Sequence, residues 1–387
     1  MKKLSTLLLA ALAFVACSND DNYTWDDNFA DRTSSDTICI TINYQGGDVA
    51  IEGDAWGYVS ADGAHVTVKS SANRFLQLQL SGTTTDGSLI IYSWKKVGVL
   101  LNGVSITNPH GPAINNQCGK SFIVTTAPNT VNTLADGAEY QMALGLKGDT
   151  ISQKATLFSE GQIYLRGTGT LQVNAQAKNG IASDDYIVVE GGTVNVNVAA
   201  TGTNGIKTND GFTVNGGTLS VNVAAPGARG IKNDAATIIA GGTTTITTTG
   251  DCLIETVDGI TDTTSCAGIR CDSLFQMTAG QLTITSSGDG GKGINTDQQV
   301  LFQGGTLLVT TTGGNQLGKP KAVKAGNGII VSGGTFQTSC NKSWACDSGY
   351  GDDDTPDSEK LANCVTVKGN PTTKIIQKRN VHIAYSE

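Results

Sequence analysis

From Asp36 onward the chain is written in short alternating stretches of apolar and polar residues, with almost no helical periodicity. Tyr186-Ile187-Val188-Val189 and Thr193-Val194-Asn195-Val196-Asn197-Val198 are representative. A period of two puts one face inward and one outward, and these segments have strand length. Two glycine anchors punctuate them. The first is Gly-Gly-Thr or a near relative, ending at Gly169, Gly192, Gly217, Gly242, Gly280, Gly305 and Gly334. The second is Gly-Ile, at Gly180, Gly205, Gly230, Gly268 and Gly293, with a decayed copy at Ala322-Val323. Successive Gly-Ile anchors lie 25, 25, 38, 25 and 29 residues apart, and the first anchor repeats the same series from Gly192.

Two independent markers in one series define a repeat. A unit of about 25 residues with two or three strands cannot bury its apolar side alone, but units stacked about 4.8 Å apart enclose a common interior. Leucine-rich repeats are excluded because the helical half is missing, and calcium-binding nonapeptide rolls because the period is wrong. The predicted fold class is therefore all-β: a single-stranded, right-handed parallel β-helix. Glycines are expected at corners, where positive φ or close backbone packing is needed. The long spacings are ordinary coils with loops added. One insertion spans roughly 251–267 and holds Cys252 and Cys266, which a disulfide would pin; another spans about 341–363, with Trp344, Tyr350 and Asp352-Asp353-Asp354.

The N-terminus adds a destination. Lys2 and Lys3 precede the apolar run Leu4 to Ala13, too short for a lasting membrane span, and Phe14-Val15-Ala16-Cys17 offers small residues before a cysteine. Residues 1–16 read as a lipoprotein signal peptide, Cys17 as the lipidated residue, 17–36 as a polar tether and 37–387 as the β-helix. Ser18-Asn19-Asp20-Asp21 resembles the surface-export signal of lipoproteins in glycan-foraging Gram-negative bacteria, which implies an outer-membrane, cell-surface location. Net charge is −8, and loss of Lys2 and Lys3 makes it more negative. Such a surface repels phosphate backbones, which argues against nucleic acid. Eight of the nine cysteines remain beside Cys17, an even number suited to disulfides in an oxidising compartment. No Cys-x-x-Cys spacing points to zinc.

Leu100-Leu101-Asn102-Gly103-Val104-Ser105-Ile106-Thr107-Asn108 leads into Gly111-Pro112-Ala113-Ile114, then Asn132-Thr133-Leu134-Ala135-Asp136-Gly137 and Gly167-Thr168-Gly169-Thr170-Leu171. With the coil that follows, this order resembles the secreted bacterial β-helix family of carbohydrate-binding domain proteins, over roughly 37–337. The resemblance implies a pectate-lyase-like fold, binding of cellulose and polygalacturonate, and calcium held by acidic corner residues.

The residues themselves offer chemistry to match. Four positions after each Gly-Ile glycine stands Asp184, Asn209, Asp234, Asp272 or Asp297, with Asp185 and Asp210 beside them. Bare carboxylates stacked about 5 Å apart repel by roughly 3 kcal/mol at an effective dielectric of 20. Calcium could neutralise Asp184, Asp185, Asp210, Asp234, Asp272 and Asp297. So could Lys207, Lys232 and Arg270, two residues before the row on the same face, as a surface ion-pair ladder; a third reading has the Asx side chains closing turns. The same three cations are candidates for glycan binding, with Trp344 and Tyr350 as the expected exposed aromatics. Trp56 with Tyr58 and Tyr92 with Trp94 share strand faces and either stack on sugars or pack internally. The function expected is polysaccharide binding at the cell surface. A calcium-dependent lyase of pectate-lyase type, using a lysine as base, and a surface adhesin are the alternatives.

Overall fold

The computed structural model describes residues 37–349, 356–378 and 380–382. Cys17, the tether, Tyr350 and Asp352 to Asp354 lie outside them.

Within these residues the chain winds into a solenoid with three parallel ladders. Face 1 carries the strand that follows each Gly-Ile anchor: Asn179–Ser183, Ile206–Thr208, Arg229–Asn233, Ala267–Cys271, Lys292–Thr296 and Lys321–Ala325, each paired in parallel with the next. Face 2 comes next in each coil, as in Tyr186–Val189 and Gly211–Val214. Face 3 follows the Gly-Gly corner, as in Thr193–Val198 and Thr218–Val223. The ladders extend back to His65–Ser70 and Phe75–Thr84, so the less regular N-terminal part is built the same way. Antiparallel pairs close both ends: Val49–Glu52 on Thr37–Gln45, and Asn380–His382 on Thr372–Gln377.

Alternation explains the interior. Ile181, Ile206, Ile231, Ile269, Ile294 and Val323 occupy one register position on face 1 and are all fully buried. Phe212 and Phe275 do the same from face 2, and Val196, Val221, Ile246 and Ile284 from face 3. Each such side chain contributes about 1.5–3 kcal/mol of transfer free energy, and no helix is needed to cover the sheets. The two glycine anchors have different causes. The second glycine of each Gly-Gly pair is left-handed, with φ +77° at Gly217 and +69° at Gly242. The Gly-Ile glycine is absent from the positive-φ residues; it is crowded instead, a Cβ on Gly230 falling 2.3 Å from Ile246 Cγ2.

The extra residues leave the coil without interrupting it. Arg229–Asn233 pairs directly with Ala267–Cys271, while Leu253–Val257 and Ile260–Thr264 form an antiparallel hairpin between them. Residues 137–154 make a further excursion at the same corner, which the spacing of anchors gave no means to foresee. It lies over the outer side of face 1, Ser152 accepting hydrogen bonds from Asn115 and Gln117, both at 3.1 Å. It buries Phe158, whose side chain would otherwise point to solvent, with Ala155 and Ala182.

Candidate functional site

Face 1 presents two parallel rows to solvent. Strand register aligns Lys207, Lys232, Arg270, Asn295 and Lys324 with Ala182, which the excursion buries. Immediately after the strands run Glu160, Asp184, Asn209, Asp234, Asp272 and Asp297. Glu160 belongs to the acidic row although no Gly-Ile anchor marks its coil; only alignment of Ser159 with Ser183 reveals it.

Most of these charges pair diagonally, one coil to the next. Lys207 reaches Asp234 and also Asn209 Oδ1 at 3.1 Å. Arg270 grips Asp297 through two nitrogens, at 2.9 and 2.6 Å, and lies 3.0 Å from Asp272. Lys154, supplied by the excursion, holds Asp184 at 2.6 Å. Surface pairs of this kind contribute little individually, about 0–1 kcal/mol. The row is therefore an ion-pair ladder rather than a file of bare carboxylates. Turn closure falls to other residues: Asn233 Oδ1 accepts from the Ala235 amide at 2.9 Å and Ser183 Oγ from the Asp185 amide at 3.0 Å.

Two groups escape the ladder. Lys232 and Lys324 have no acidic partner or hydrogen bond among the described residues, leaving two ammonium groups open on the face. Asp185 and Asp210 stand on successive coils, the Asp210 amide donating to the Asp185 carbonyl at 3.2 Å. Burial, with the Asp210 charge adding to it, raises the Asp185 carboxyl above the ordinary carboxylate value against the Tyr186 amide and Gln162, which bond its charged form. Among the described residues no cluster of three or more His, Cys, Asp or Glu has metal-ligand geometry. Asp184, Asp234, Asp272 and Asp297 each stand within ion-pair distance of a cation, whereas Asp185 and Asp210 have no cationic partner among the described residues; a calcium ion there would draw on those two carboxylates and on other oxygens.

The aromatic expectations divide. Trp344 is buried, 3% exposed, with the ammonium groups of Lys360 and Lys378 4.4 and 4.2 Å from its ring centroid. The polar sequence around it concealed this, because the cover comes from helix Asp357–Cys364 and strand Thr372–Gln377. Trp344 is thus part of the C-terminal packing and offers no ring to a ligand; Tyr350 lies outside the described residues. The exposed rings are at the other end. Trp94 is 79% and Trp56 54% exposed, and Trp56 stacks on Tyr58 with centroids 6.2 Å apart. Tyr58 accepts the Lys69 amide at 2.8 Å, and Lys69 is in register with Tyr92. The first coils of face 1 therefore carry Trp56, Tyr58, Tyr92 and Trp94 beside Lys69.

Residues 62–253 and 198–354 match the family described as carbohydrate-binding domain-containing protein. The chain belongs to that family. A protein of Acetivibrio thermocellus with the same description is 29% identical over 118 residues, which are 30% of this chain and 40% of that protein. The match thus spans less than half of that relative. Among solved structures, the polysaccharide lyase-like protein from C. thermocellum, as a gadolinium derivative, aligns with a TM-score of 0.54 at 23% identity, over 68% of this chain and 96% of that one. At that identity the likeness speaks for the fold, and it agrees with the stacked parallel coils. The rings stand beside Lys69, whereas Lys232 and Lys324 lie farther along the same sheet, beyond the 137–154 excursion. Rings accept the CH faces of sugars, and ammonium groups accept carboxylates.

Proposed function

We propose that this protein is a surface lipoprotein that binds acidic polysaccharide on face 1, the coil winding right-handed as parallel crossovers do. Family membership supports carbohydrate as the ligand. The observation that carries the choice of face is that one sheet bears both the unpartnered ammonium groups of Lys232 and Lys324 and, several coils away beyond the 137–154 excursion, the rings of Trp56, Tyr58, Tyr92 and Trp94 beside Lys69. Lys207 and Arg270 assist while tethered to their own carboxylates. Calcium enters the proposal at Asp185 and Asp210, where it would bridge those carboxylates and ligand oxygens. Cys17 would carry the lipid and hold the protein on the outer membrane.

The experiment is affinity electrophoresis of the chain from Ser18 onward in gels containing polygalacturonate. The wild type should be retarded without shortening the polymer. Lys232→Gln combined with Lys324→Gln should weaken retention about tenfold, as should Trp94→Ala, with melting temperature unchanged. Each interaction removed is of the size of a charge-assisted hydrogen bond or a ring contact, about 1–2 kcal/mol. Undiminished retention of the double variant would remove face 1 as the site. Accumulation of unsaturated, ultraviolet-absorbing oligosaccharides that Lys232→Ala abolishes would promote the lyase alternative.

A further inference from the structure

The first coils of face 1 carry an arrangement that glycan binding leaves unused. His65 and Ser88 open the neighbouring strands His65–Ser70 and Ser88–Ser93, and they stand opposite each other in the parallel ladder. Both point away from the interior, since Val66 and Leu89, the next residues, are fully buried. Their side chains meet, with Ser88 Oγ 3.0 Å from His65 Nδ1. The other ring nitrogen, Nε2, lies 3.2 Å from Asp86 Oδ1. Asp86 belongs to the connection just before Ser88, where its amide donates to Thr84 Oγ1 at 3.2 Å.

A carboxylate at Nε2 accepts a proton there, which leaves Nδ1 with its lone pair toward the serine hydroxyl. Nucleophile, base and orienting acid are thus linked in series, the geometry that activates a serine. Ser88 is also fixed along its main chain. Its amide donates to the Ala64 carbonyl at 3.1 Å, and its carbonyl accepts from the buried Tyr44 hydroxyl, also at 3.1 Å. The side chains of His65 and Asp86 are 45% and 65% exposed, so water reaches the base directly. Ser88 is 5% exposed, which admits only a small acyl group to its hydroxyl. The amides of Asp86, Gly87, Ser88 and Leu89 are spent on Thr84 Oγ1 and on the Thr107, Ala64 and Ala113 carbonyls. A donor aimed at a tetrahedral oxyanion is worth about 10²–10³ in rate. With those four amides committed, the site suits esters, whose leaving oxygen departs readily, and not amides.

We propose that Ser88, His65 and Asp86 form an esterase site that removes small O-acyl groups, acetyl above all, from a polysaccharide lying on face 1. The choice of a glycan ester rests on the reading of the protein as a polysaccharide binder; the triad itself does not. Tyr92 stands four residues beyond Ser88 on its strand, and Lys69 four beyond His65. That is about 13 Å at 3.3 Å per residue, so a chain held by that ring and that ammonium group brings its ester groups over Ser88. Ser88 Oγ attacks the ester carbonyl while its proton passes to His65 Nδ1. The adduct collapses, the sugar oxygen leaves with that proton, and the acetyl group stays on Ser88. Water then attacks the acetyl-serine, one of its protons passing to Nδ1 and on to Ser88 Oγ as acetic acid departs. Ser88 and His65 are the catalytic residues; Asp86 is a positioning residue that holds the ring.

The test uses the chain from Ser18 onward with para-nitrophenyl acetate, and then with acetylated polygalacturonate, reading nitrophenolate and released acetate. Diethyl para-nitrophenyl phosphate, which phosphorylates activated serines, should label the peptide containing Ser88, as read by mass spectrometry. Ser88→Ala should reduce hydrolysis to the buffer rate, and His65→Gln should lower kcat about a hundredfold. Asp86→Asn should lower kcat about tenfold with KM unchanged, less than for a buried acid because water takes its place. All three should keep the wild-type melting curve. A wild type that polygalacturonate retains, but that neither hydrolyses para-nitrophenyl acetate nor takes the label, overturns the site and leaves glycan binding standing. Hydrolysis that survives Ser88→Ala also overturns it. Labelling and hydrolysis at Ser88 without retention uphold the triad and overturn the glycan reading. Acetate released from the polymer by the wild type and not by Ser88→Ala upholds the glycan ester as substrate, and no release from the polymer removes it.

Discussion

The Gly-Ile anchor offers a test whose sign alone separates two explanations. Gly230 is not in the left-handed region, so backbone freedom does not require glycine there. If freedom were the only issue, Gly230→Ala would stabilise by about 0.4–1 kcal/mol through the unfolded chain. The packing says the opposite. The added methyl would lie 2.3 Å from Ile246 Cγ2 and 2.6 Å from the Gly268 carbonyl oxygen. Ile246 is itself fully buried and backed by its neighbours on face 3, so it cannot retreat without shifting a strand. Overpacking of this kind costs about 1–3 kcal/mol. The sixth coil already carries Ala322, with Thr338 at the position of Ile246, which places the expected cost toward the lower end. Urea denaturation followed by circular dichroism would read it as a midpoint lowered by several tenths of a molar, for a slope of about 3 kcal/mol/M. Ile246→Ala alone should cost about 2–5 kcal/mol. Combining it with Gly230→Ala should cost less than the sum by about 1 kcal/mol, since the new methyl enters vacated space. A Gly230→Ala protein as stable as wild type, or an additive double variant, would refute the crowding argument.

Other expectations follow from particular side chains. In chelator-stripped protein, calcium at ten times its dissociation constant should add about 1.4 kcal/mol of stability, and Asp210→Asn should remove the gain; no calcium-dependent rise in melting temperature would exclude a native-state metal site. The Asp185 carboxyl is raised by burial and by the Asp210 charge, so the native state binds this proton more readily than the unfolded chain does. Without calcium its contribution to stability should therefore fall as pH rises from the ordinary carboxylate range through the raised value, and a melting profile that Asp210→Asn leaves unaltered would count against this. Cys252 and Cys266 share a hydrogen bond at the neck of the hairpin, and that bond together with the Lys292 ammonium lowers the Cys252 thiol, against burial. After treatment with oxidised glutathione these two should resist alkylation and appear as one crosslinked peptide by mass spectrometry; separate labelling of both would show that they stay apart.

The repeat, its period and the fold class were legible in the sequence because a solenoid repeats one local rule. Alternation sets which side chains enter the interior, and glycine marks the corners, so spacing alone carries the register from Gly180 to Gly293. The 38-residue gap could be read as a coil plus a loop for the same reason. Partnership across coils was a different matter. Asp234 and Lys207 are 27 residues apart, and only stacking decides that they meet, while Lys232 in the same row meets no carboxylate among the described residues. Trp344 sits among polar residues in the chain and is buried, because the helix and strand that cover it arrive later. Trp56 and Trp94 lie on the first described coils, where no later described element packs over their rings.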